Sequence, residues 1–184
     1  DETDISEASF YVIAVPTPVG KDRNPDLESL LCATRTVGRY LRHGDYVVYE
    51  STVYPGCTEN KCIPLLEHES GLIPGDEFKV GYSPERINPG DPAHSVGNTV
   101  KIVGACDDEA LECIARIYGR IVAAGIHRVS CIKVAEASKI LENVQRNVNI
   151  ALMNEMSILF SAADIDTTEV IEAASTKWNF VKYA

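Results

Sequence analysis

The sequence predicts an α/β protein in which a doubly wound parallel sheet precedes a long central helix. Short apolar runs rich in β-branched and aromatic residues alternate with amphipathic helical patterns. This alternation is typical of strands that are buried on both faces and joined by right-handed crossovers. A later stretch, Val134–Phe160, contains neither glycine nor proline and predicts one long helix after the sheet.

The first predicted elements form a strand, a helix and a strand. An apolar run at 10–15 follows an acidic polar stretch and predicts the first strand. A helical pattern begins at Asp26 and continues to Leu41, and Gly44 stands where a C-terminal cap is expected. The next strand is predicted over Tyr46–Tyr49. This order is that of a βαβ unit in a parallel sheet.

The rest of the sheet continues the same alternation. A helix is predicted over Thr58–His68, although Pro64 lies near its middle. Asp107 is predicted to cap a helix that continues to about Ile121. Further strands are predicted at 78–82, 100–103 and 126–130.

The long helix carries a polar stripe on an otherwise apolar surface. The stripe consists of residues at helical spacing: Glu136, Lys139, Asn143 and Asn147. It is either a solvated surface or a face that contacts a ligand. A solvated surface is the usual explanation, but the repeated asparagine, a poor helix former, gives the ligand interpretation equal weight. The segment from about 150 to 160 is apolar nearly all round, so we expect it to join the subunits of a homodimer.

Composition limits the classes of partner. The formal net charge of −10 argues against nucleic acid or an anionic membrane as the main partner, because both attract basic surfaces. No apolar run is long enough to span a bilayer and the N-terminus does not resemble a signal peptide, so a cytoplasmic protein is predicted. The six cysteines form no CxxC pair, which favours reduced structural thiols over disulfides or a metal site.

Polar and turn-forming residues follow three of the predicted strands, where ligands bind in open α/β sheets. The Pro-Thr-Pro segment 16–18 is either a rigid turn or part of a site. Ser51 and Thr52 either hold a phosphate, a ribose or a water, or satisfy only the loop backbone. The segment Ser83–Asp91 combines a rigid turn with a carboxylate, a guanidinium and a carboxamide, and is the most specific of the three.

Several of these side chains suit catalysis. Glu85 is a candidate general base or water-positioning group, although a surface pair with Arg86 is the plainer interpretation. Lys139 and Asn143 lie one helical turn apart, and two donors that converge on one oxygen stabilise a developing oxyanion. Arg146, a further turn along, can bind a phosphate or carboxylate with its planar guanidinium.

Several segments resemble a known family in order and spacing: VIAVPTP, ESTVYPG, YSPERINPGD, AEASKILEN and RNVNIALMNE. They are similar to the nucleotide-sugar 6-dehydrogenases, the UDP-glucose/GDP-mannose dehydrogenase family. SPERINPG, NVNIALMNE and STKWNF resemble the branch that oxidises UDP-N-acetylhexosamines. This resemblance implies UDP-N-acetylglucosamine as the substrate, NAD as the cofactor and a role in capsular or surface polysaccharide synthesis.

The resemblance also implies a division of the chain and a role for each candidate residue. Residues 1–130 would be the C-terminal half of a Rossmann NAD-binding domain, and 131–184 the central helix and the start of a helical dimerisation region. The residues that would line the cofactor are Val15, Pro16, Thr17, Ser51 and Thr52. Four residues would act in catalysis. Lys139 and Asn143 would stabilise the oxyanion at C6, Glu85 would act on water or in proton transfer, and Thr52 would hold a catalytic water. Those that would contact the substrate are Glu85, Arg86, Asn88, Lys139, Asn143 and Arg146.

The sequence departs from the family pattern at three places. Pro89 stands where the UDP-glucose branch has a second glutamate, no cysteine has the glycine-rich context of the family's catalytic cysteine, and no GxGxxG turn occurs. We therefore expect a fragment without dehydrogenase activity of its own.

Other interpretations remain open. UDP-glucose and UDP-N-acetylmannosamine are alternative substrates, and the residues do not distinguish a gluco from a manno configuration. The β-hydroxyacid dehydrogenases are an alternative family. They resemble this chain in having a helix with Lys and Asn four residues apart, but they lack the SPERINPG segment. A noncatalytic nucleotide-sugar-binding or dimerisation module is a third possibility.

Overall fold

A computed structural model describes residues 2–87, 90 and 93–181 of the chain. The strands are β1 (Phe10–Ile13), β2 (Tyr46–Tyr49), β3 (Lys79–Tyr82), β4 (Lys101–Ala105) and β5 (Ile126–Arg128). The α-helices are α1 (Glu28–Tyr40), α2 (Ile63–Ser70), α3 (Asp108–Tyr118), α4 (Ile132–Ala162) and α5 (Thr167–Ala174). A 3-10 helix, Glu2–Glu7, precedes β1, and a π-helix, Thr58–Cys62, precedes α2.

The strands form one five-stranded sheet in the order β1-β2-β3-β4-β5. β1, β2 and β3 are parallel, β4 is antiparallel to β3, and β5 is parallel to β4. The α/β class is confirmed, but the sheet is mixed rather than wholly parallel. A parallel return needs a crossover, usually a helix. The described residues between β3 and β4 form no helix, so β4 begins near the end where β3 finishes.

Two predicted helix boundaries are wrong. Asp26 precedes α1, and its Oδ1 accepts a hydrogen bond from the Glu28 amide at 2.9 Å. The C-terminal cap of α1 is Leu41, not Gly44. Gly44 instead adopts a left-handed φ of 88° in the turn before β2, where its amide donates to the Glu77 carbonyl at 2.7 Å. Glycine suits this turn because it has no Cβ to clash at positive φ.

The helix predicted over Thr58–His68 is two segments. Thr58–Cys62 is a π-helix, and α2 begins at Ile63 with Pro64 in its first turn. Proline has no amide hydrogen, so it is tolerated where a helix begins and the amides have no partner within the helix. Pro64 therefore marks the start of α2 rather than interrupting a longer helix.

Asp107 caps α3 as predicted. Its Oδ1 accepts from the Ala110 amide at 2.8 Å, and its Oδ2 pairs with Lys79 Nζ at 2.8 Å. Burial, the largest single influence, raises the pKa of the Asp107 carboxyl, but these hydrogen bonds outweigh it, so the pKa lies below the ordinary 3.8. The pair also ties α3 to the first residue of β3.

The chain divides into two compact units, Asp1–Ile140 and Leu141–Ala184. The first contains the sheet, whose central strands are buried on both faces, and Val47 and Val48 are both 0% exposed. The second contains the rest of α4 and α5, which begins after Asp166, whose Oδ1 accepts from the Thr168 and Glu169 amides. Large apolar residues of this unit are exposed: Leu141, Val144, Val148, Ile150, Leu152, Ile158 and Leu159. Within the described part of the chain, no helix is long and apolar enough to cross a membrane.

Candidate active site

A cleft of about 370 Å³ lies where β1, β2 and β3 end. The carboxyl ends of these parallel strands meet at one edge of the sheet, which is where ligands bind in this fold class. The lining residues come from the loops after the three strands: Ala14, Val15, Pro16, Thr17, Glu50, Ser51, Thr52 and Glu85. The three predicted loops therefore come together.

The loops after β1 and β2 are hydrogen-bonded to each other. Thr17 Oγ1 donates to the Thr52 carbonyl at 2.6 Å, and Ser51 Oγ donates to the Val15 carbonyl at 2.7 Å. Tyr82 Oη, from β3, donates to the Ser51 carbonyl at 3.0 Å. The hydroxyls of Thr17 and Ser51 thus hold the backbone. The Thr52 hydroxyl hydrogen-bonds to none of the described residues and lines the cleft.

The loop after β3 presents Glu85 at the surface of the cleft. Its Oε1 accepts from the amides of Arg86 and Ile87, both at 2.7 Å, which orients the carboxylate on its own loop. Arg86 Nη1 donates to the Val100 carbonyl at 2.7 Å, immediately before β4. Asn88 and Pro89 lie outside the described residues.

The first turns of α4 contact the loop after β3 and the segment after β2. Lys139 Nζ donates to the carbonyl of Glu85. Glu136, expected on the same ligand-facing stripe, is instead 0% exposed, and its carboxylate accepts from the amides of Gly56 at 2.5 Å and Thr58 at 2.9 Å. A buried carboxylate is stable where amides at the start of a helical segment satisfy it. Glu136 therefore anchors the turn on which Lys139 lies.

Asn143 and Arg146 belong to the second unit. Arg146 Nη2 donates to Asn143 Oδ1 at 2.9 Å, so these two predicted substrate ligands contact each other. Asn147, the last residue of the predicted stripe, is exposed.

A buried charged cluster at the end of β2 escaped the sequence prediction. Glu50 Oε1 accepts from Tyr118 Oη at 2.5 Å and pairs with Lys101 Nζ at 3.0 Å, and Lys101 Nζ lies 4.8 Å from the centre of the Tyr118 ring. Burial first, and then the Glu50 carboxylate, raise the pKa of Tyr118 well above its ordinary value. The one signal in the sequence is a glutamate directly after an apolar strand, and nothing local pairs it with a lysine at the start of β4.

The comparisons with known proteins agree with this geometry. The sequence profile of the UDP-glucose/GDP-mannose dehydrogenase family, NAD binding domain, matches residues 1–122, and that of the central domain matches residues 133–184. The chain belongs to this family. Strands β1 to β4 lie within the segment that matches the NAD binding domain.

Individual relatives are similar over nearly all of this chain. Protein CapL of Staphylococcus aureus is 54% identical over 98% of the chain, and a UDP-N-acetyl-D-glucosamine 6-dehydrogenase of Salmonella typhi is 50% identical over 97%. The chain spans 42% of the length of each. The solved structure of a UDP-D-ManNAc dehydrogenase from Pyrococcus horikoshii superposes with a TM-score of 0.93 at 34% identity, covering 100% of this chain and 43% of that one.

The lining of the cleft combines apolar and polar side chains. Its apolar members are Ala14, Val15 and Pro16, and its polar members include Thr52, Glu50 and Glu85. The glycine-rich turn that cradles a pyrophosphate is absent from the sequence.

Proposed function

We propose that this chain is part of a longer NAD-dependent enzyme that oxidises the C6 alcohol of a UDP-N-acetylhexosamine, namely UDP-N-acetylglucosamine, to the uronic acid. The observation that carries the proposal is the meeting of three strand-end loops at one cleft, with Lys139 bound to the Glu85 carbonyl, in a chain that matches the family's NAD binding domain. The similarity to the Salmonella typhi enzyme supports the choice of sugar. The product would serve capsular or surface polysaccharide synthesis.

The residues after β1 and β2 would hold the nicotinamide end of the cofactor. NAD, when bound, takes up the hydride that leaves C6. The wall formed by Val15 and Pro16 would support the ring, while the mutual hydrogen bonds of Thr17 and Ser51 keep the two loops at a fixed separation. Rigid loops position a reacting group better than free ones do.

Charge on the reacting oxygen would be stabilised from α4. Lys139 places an ammonium beside the carbonyl of Glu85, a residue that lines the cleft. Asn143 follows one helical turn later, and the two donors together would hold the oxyanion that develops at C6. Arg86 and Arg146 would neutralise anionic groups of the nucleotide sugar, and Asn88 would contact the sugar.

Glu85 and Thr52 would handle the water and the proton. Complete oxidation of an alcohol to a carboxylate transfers two hydrides to two NAD molecules and consumes one water. The carboxylate of Glu85, held by two amides on its own loop, would orient that water or accept its proton. The Thr52 hydroxyl, which lines the same cleft, would hold the water in place.

The chain would act only within the longer protein. The family resemblance implies an intermediate bound as a thioester to a catalytic cysteine, and no cysteine here has the glycine-rich context of that residue. We propose residues 1–130 as part of the cofactor domain and 131–184 as the central helix with the start of the dimerisation region. The exposed apolar residues on α4 support a homodimer, since a monomer seldom leaves so many large apolar side chains in water.

The test is NADH formation by the complete protein with purified UDP-sugars. Two NADH per UDP-N-acetylglucosamine are expected, with slower turnover of UDP-N-acetylmannosamine and UDP-glucose, and no turnover of 6-phosphogluconate. The 184-residue chain alone should form no NADH. Faster turnover of another sugar would overturn the substrate assignment, and turnover by the chain alone would overturn the need for an external cysteine.

A further inference from the structure

Glu50 lines the cleft at the ends of β1, β2 and β3, and its two carboxylate oxygens have different surroundings. Its side chain is 13% exposed and lines the cleft beside Thr52 and Glu85. One oxygen, Oε1, receives both the Tyr118 hydroxyl and the Lys101 ammonium. No described residue hydrogen-bonds to the other oxygen, Oε2. The carboxylate therefore has one anchored oxygen and one available to a ligand.

Lys101 lies behind the carboxylate rather than in the cleft. Its side chain is 8% exposed, it packs over the Tyr118 ring, and the described lining of the cleft includes Glu50 but not Lys101. A ligand in the cleft thus meets the negative end of a buried ion pair. Such pairs are expensive to desolvate and are seldom a net source of stability, which invites a functional explanation.

The location of Glu50 determines which part of the cofactor it meets. If Thr52, Glu85 and Lys139 act on C6, the nicotinamide ring must lie within about 3–3.5 Å of that carbon for hydride transfer. Glu50 lines the same cleft as Thr52 and Glu85, so the ring is the part of NAD beside it. The oxidised ring is cationic, whereas the reduced ring is neutral.

We propose that Glu50 selects the oxidation state of the cofactor: its carboxylate binds the cationic nicotinamide of NAD⁺ in preference to the neutral ring of NADH. The inference rests on the proposed function. When the C6–H bond breaks, its hydrogen and two electrons move to the ring, and the ring loses its positive charge. The attraction to Glu50 disappears at that step, which favours exchange of NADH for a fresh NAD⁺ before the second oxidation.

The sign of the effect separates this role from a structural one. Glu50→Gln keeps the shape but leaves the Lys101 charge uncompensated, so the preference for NAD⁺ over NADH should fall about tenfold. Lys101→Met leaves the carboxylate unbalanced, so the preference should rise by a similar factor, about tenfold. The double variant E50Q/K101M should fall between the wild type and Glu50→Gln, because it lacks both the attracting carboxylate and the opposing ammonium. General damage to the cleft would move all three variants in one direction.

The measurement is the ratio of dissociation constants for NAD⁺ and NADH, by calorimetry on the complete protein without sugar. ADP-ribose, which has no nicotinamide, serves as the matched probe and should bind every variant within about twofold of the wild type. Tyr118→Phe keeps the ring and both charges and should leave the ratio within about twofold.

The outcomes separate the two proposals. A wild type that binds neither form of the cofactor contradicts the proposed function. A wild type that binds both, with equal ratios in Glu50→Gln and Lys101→Met, overturns the Glu50 inference alone. If Glu50→Gln does not fold, a rise in the NAD⁺ preference of Lys101→Met still supports the inference, and an unchanged or lower preference overturns it.

Discussion

Replacing Glu136 by glutamine should destabilise the first unit strongly, although the two side chains have the same shape. The Glu136 carboxylate is fully buried and accepts from the amides of Gly56 and Thr58 at 2.5 and 2.9 Å. In Glu136→Gln an NH₂ group replaces one oxygen, so one amide faces another donor. A hydrogen bond to a charged group is worth about 1.5–3 kcal/mol, and the second bond weakens as the charge is lost. The expected loss is therefore about 2–4 kcal/mol.

The assay is urea denaturation of the chain followed by circular dichroism, with thermal melts in parallel. For a protein of this size each kcal/mol lowers Tm by about 2–4 °C, so a decrease of about 4–16 °C is expected. Glu67→Gln, an exposed glutamate on α2, is the matched control and should change stability by less than about 0.5 kcal/mol. A loss below about 1 kcal/mol for Glu136→Gln would show that the two amides are not held by this charge.

Three further predictions concern a cap, a close backbone approach and the proposed interface. Asp107→Ala should destabilise the chain by about 1 kcal/mol at pH 7 through loss of the helix cap. Because the folded pKa of Asp107 lies below 3.8, the native state binds fewer protons than the unfolded chain, so urea midpoints of wild type and variant should converge as pH falls below 3.8. Gly104→Ala would bring a Cβ within 2.5 Å of the Cys131 carbonyl oxygen and should lower Tm by several degrees. Gly97→Ala, whose Cβ would have its nearest contact at 3.4 Å, is the control and should not lower Tm. Equal melting temperatures of the two variants would contradict this packing. Val148→Glu in the complete protein should weaken the dimer at least about tenfold by sedimentation, and an unchanged dimer would place the interface elsewhere.

The fold was predictable where the signal is local. Apolar runs of strand length located all five strands within a few residues, and the cap at Asp107 was read from a single side chain. The antiparallel direction of β4 was not predictable. The described residues between β3 and β4 form no crossover helix, and the sequence of a loop rich in Pro and Gly does not show in which direction the next strand will run. Pro64 was predicted to lie in the middle of one helix rather than at the start of α2, because the periodicity of apolar residues does not distinguish the preceding π-helical turn from α-helix.

The site was predictable for residues that directly follow strands, and less so for those defined by distant partners. The three loops meet at one cleft because parallel strands share a carboxyl edge. Glu136 has the same helical spacing as Lys139, yet it is buried, because its partners are amides of a segment far away in the sequence. Glu50 depends likewise on Lys101, which only the tertiary fold brings near. Periodicity gives the face of a helix but not what that face contacts.

The most direct test of the central claim, that Lys139 stabilises charge on the reacting oxygen, is the kcat of Lys139→Met in the complete protein. Removing one such donor should lower kcat by about 10²–10³-fold, while the dissociation constants of NAD⁺ and the UDP-sugar stay within about threefold. Lys133→Met, on the same helix but paired with Glu59, should keep kcat within about threefold of the wild type. A Lys139→Met enzyme that turned over at more than about a third of the wild-type rate would contradict the account.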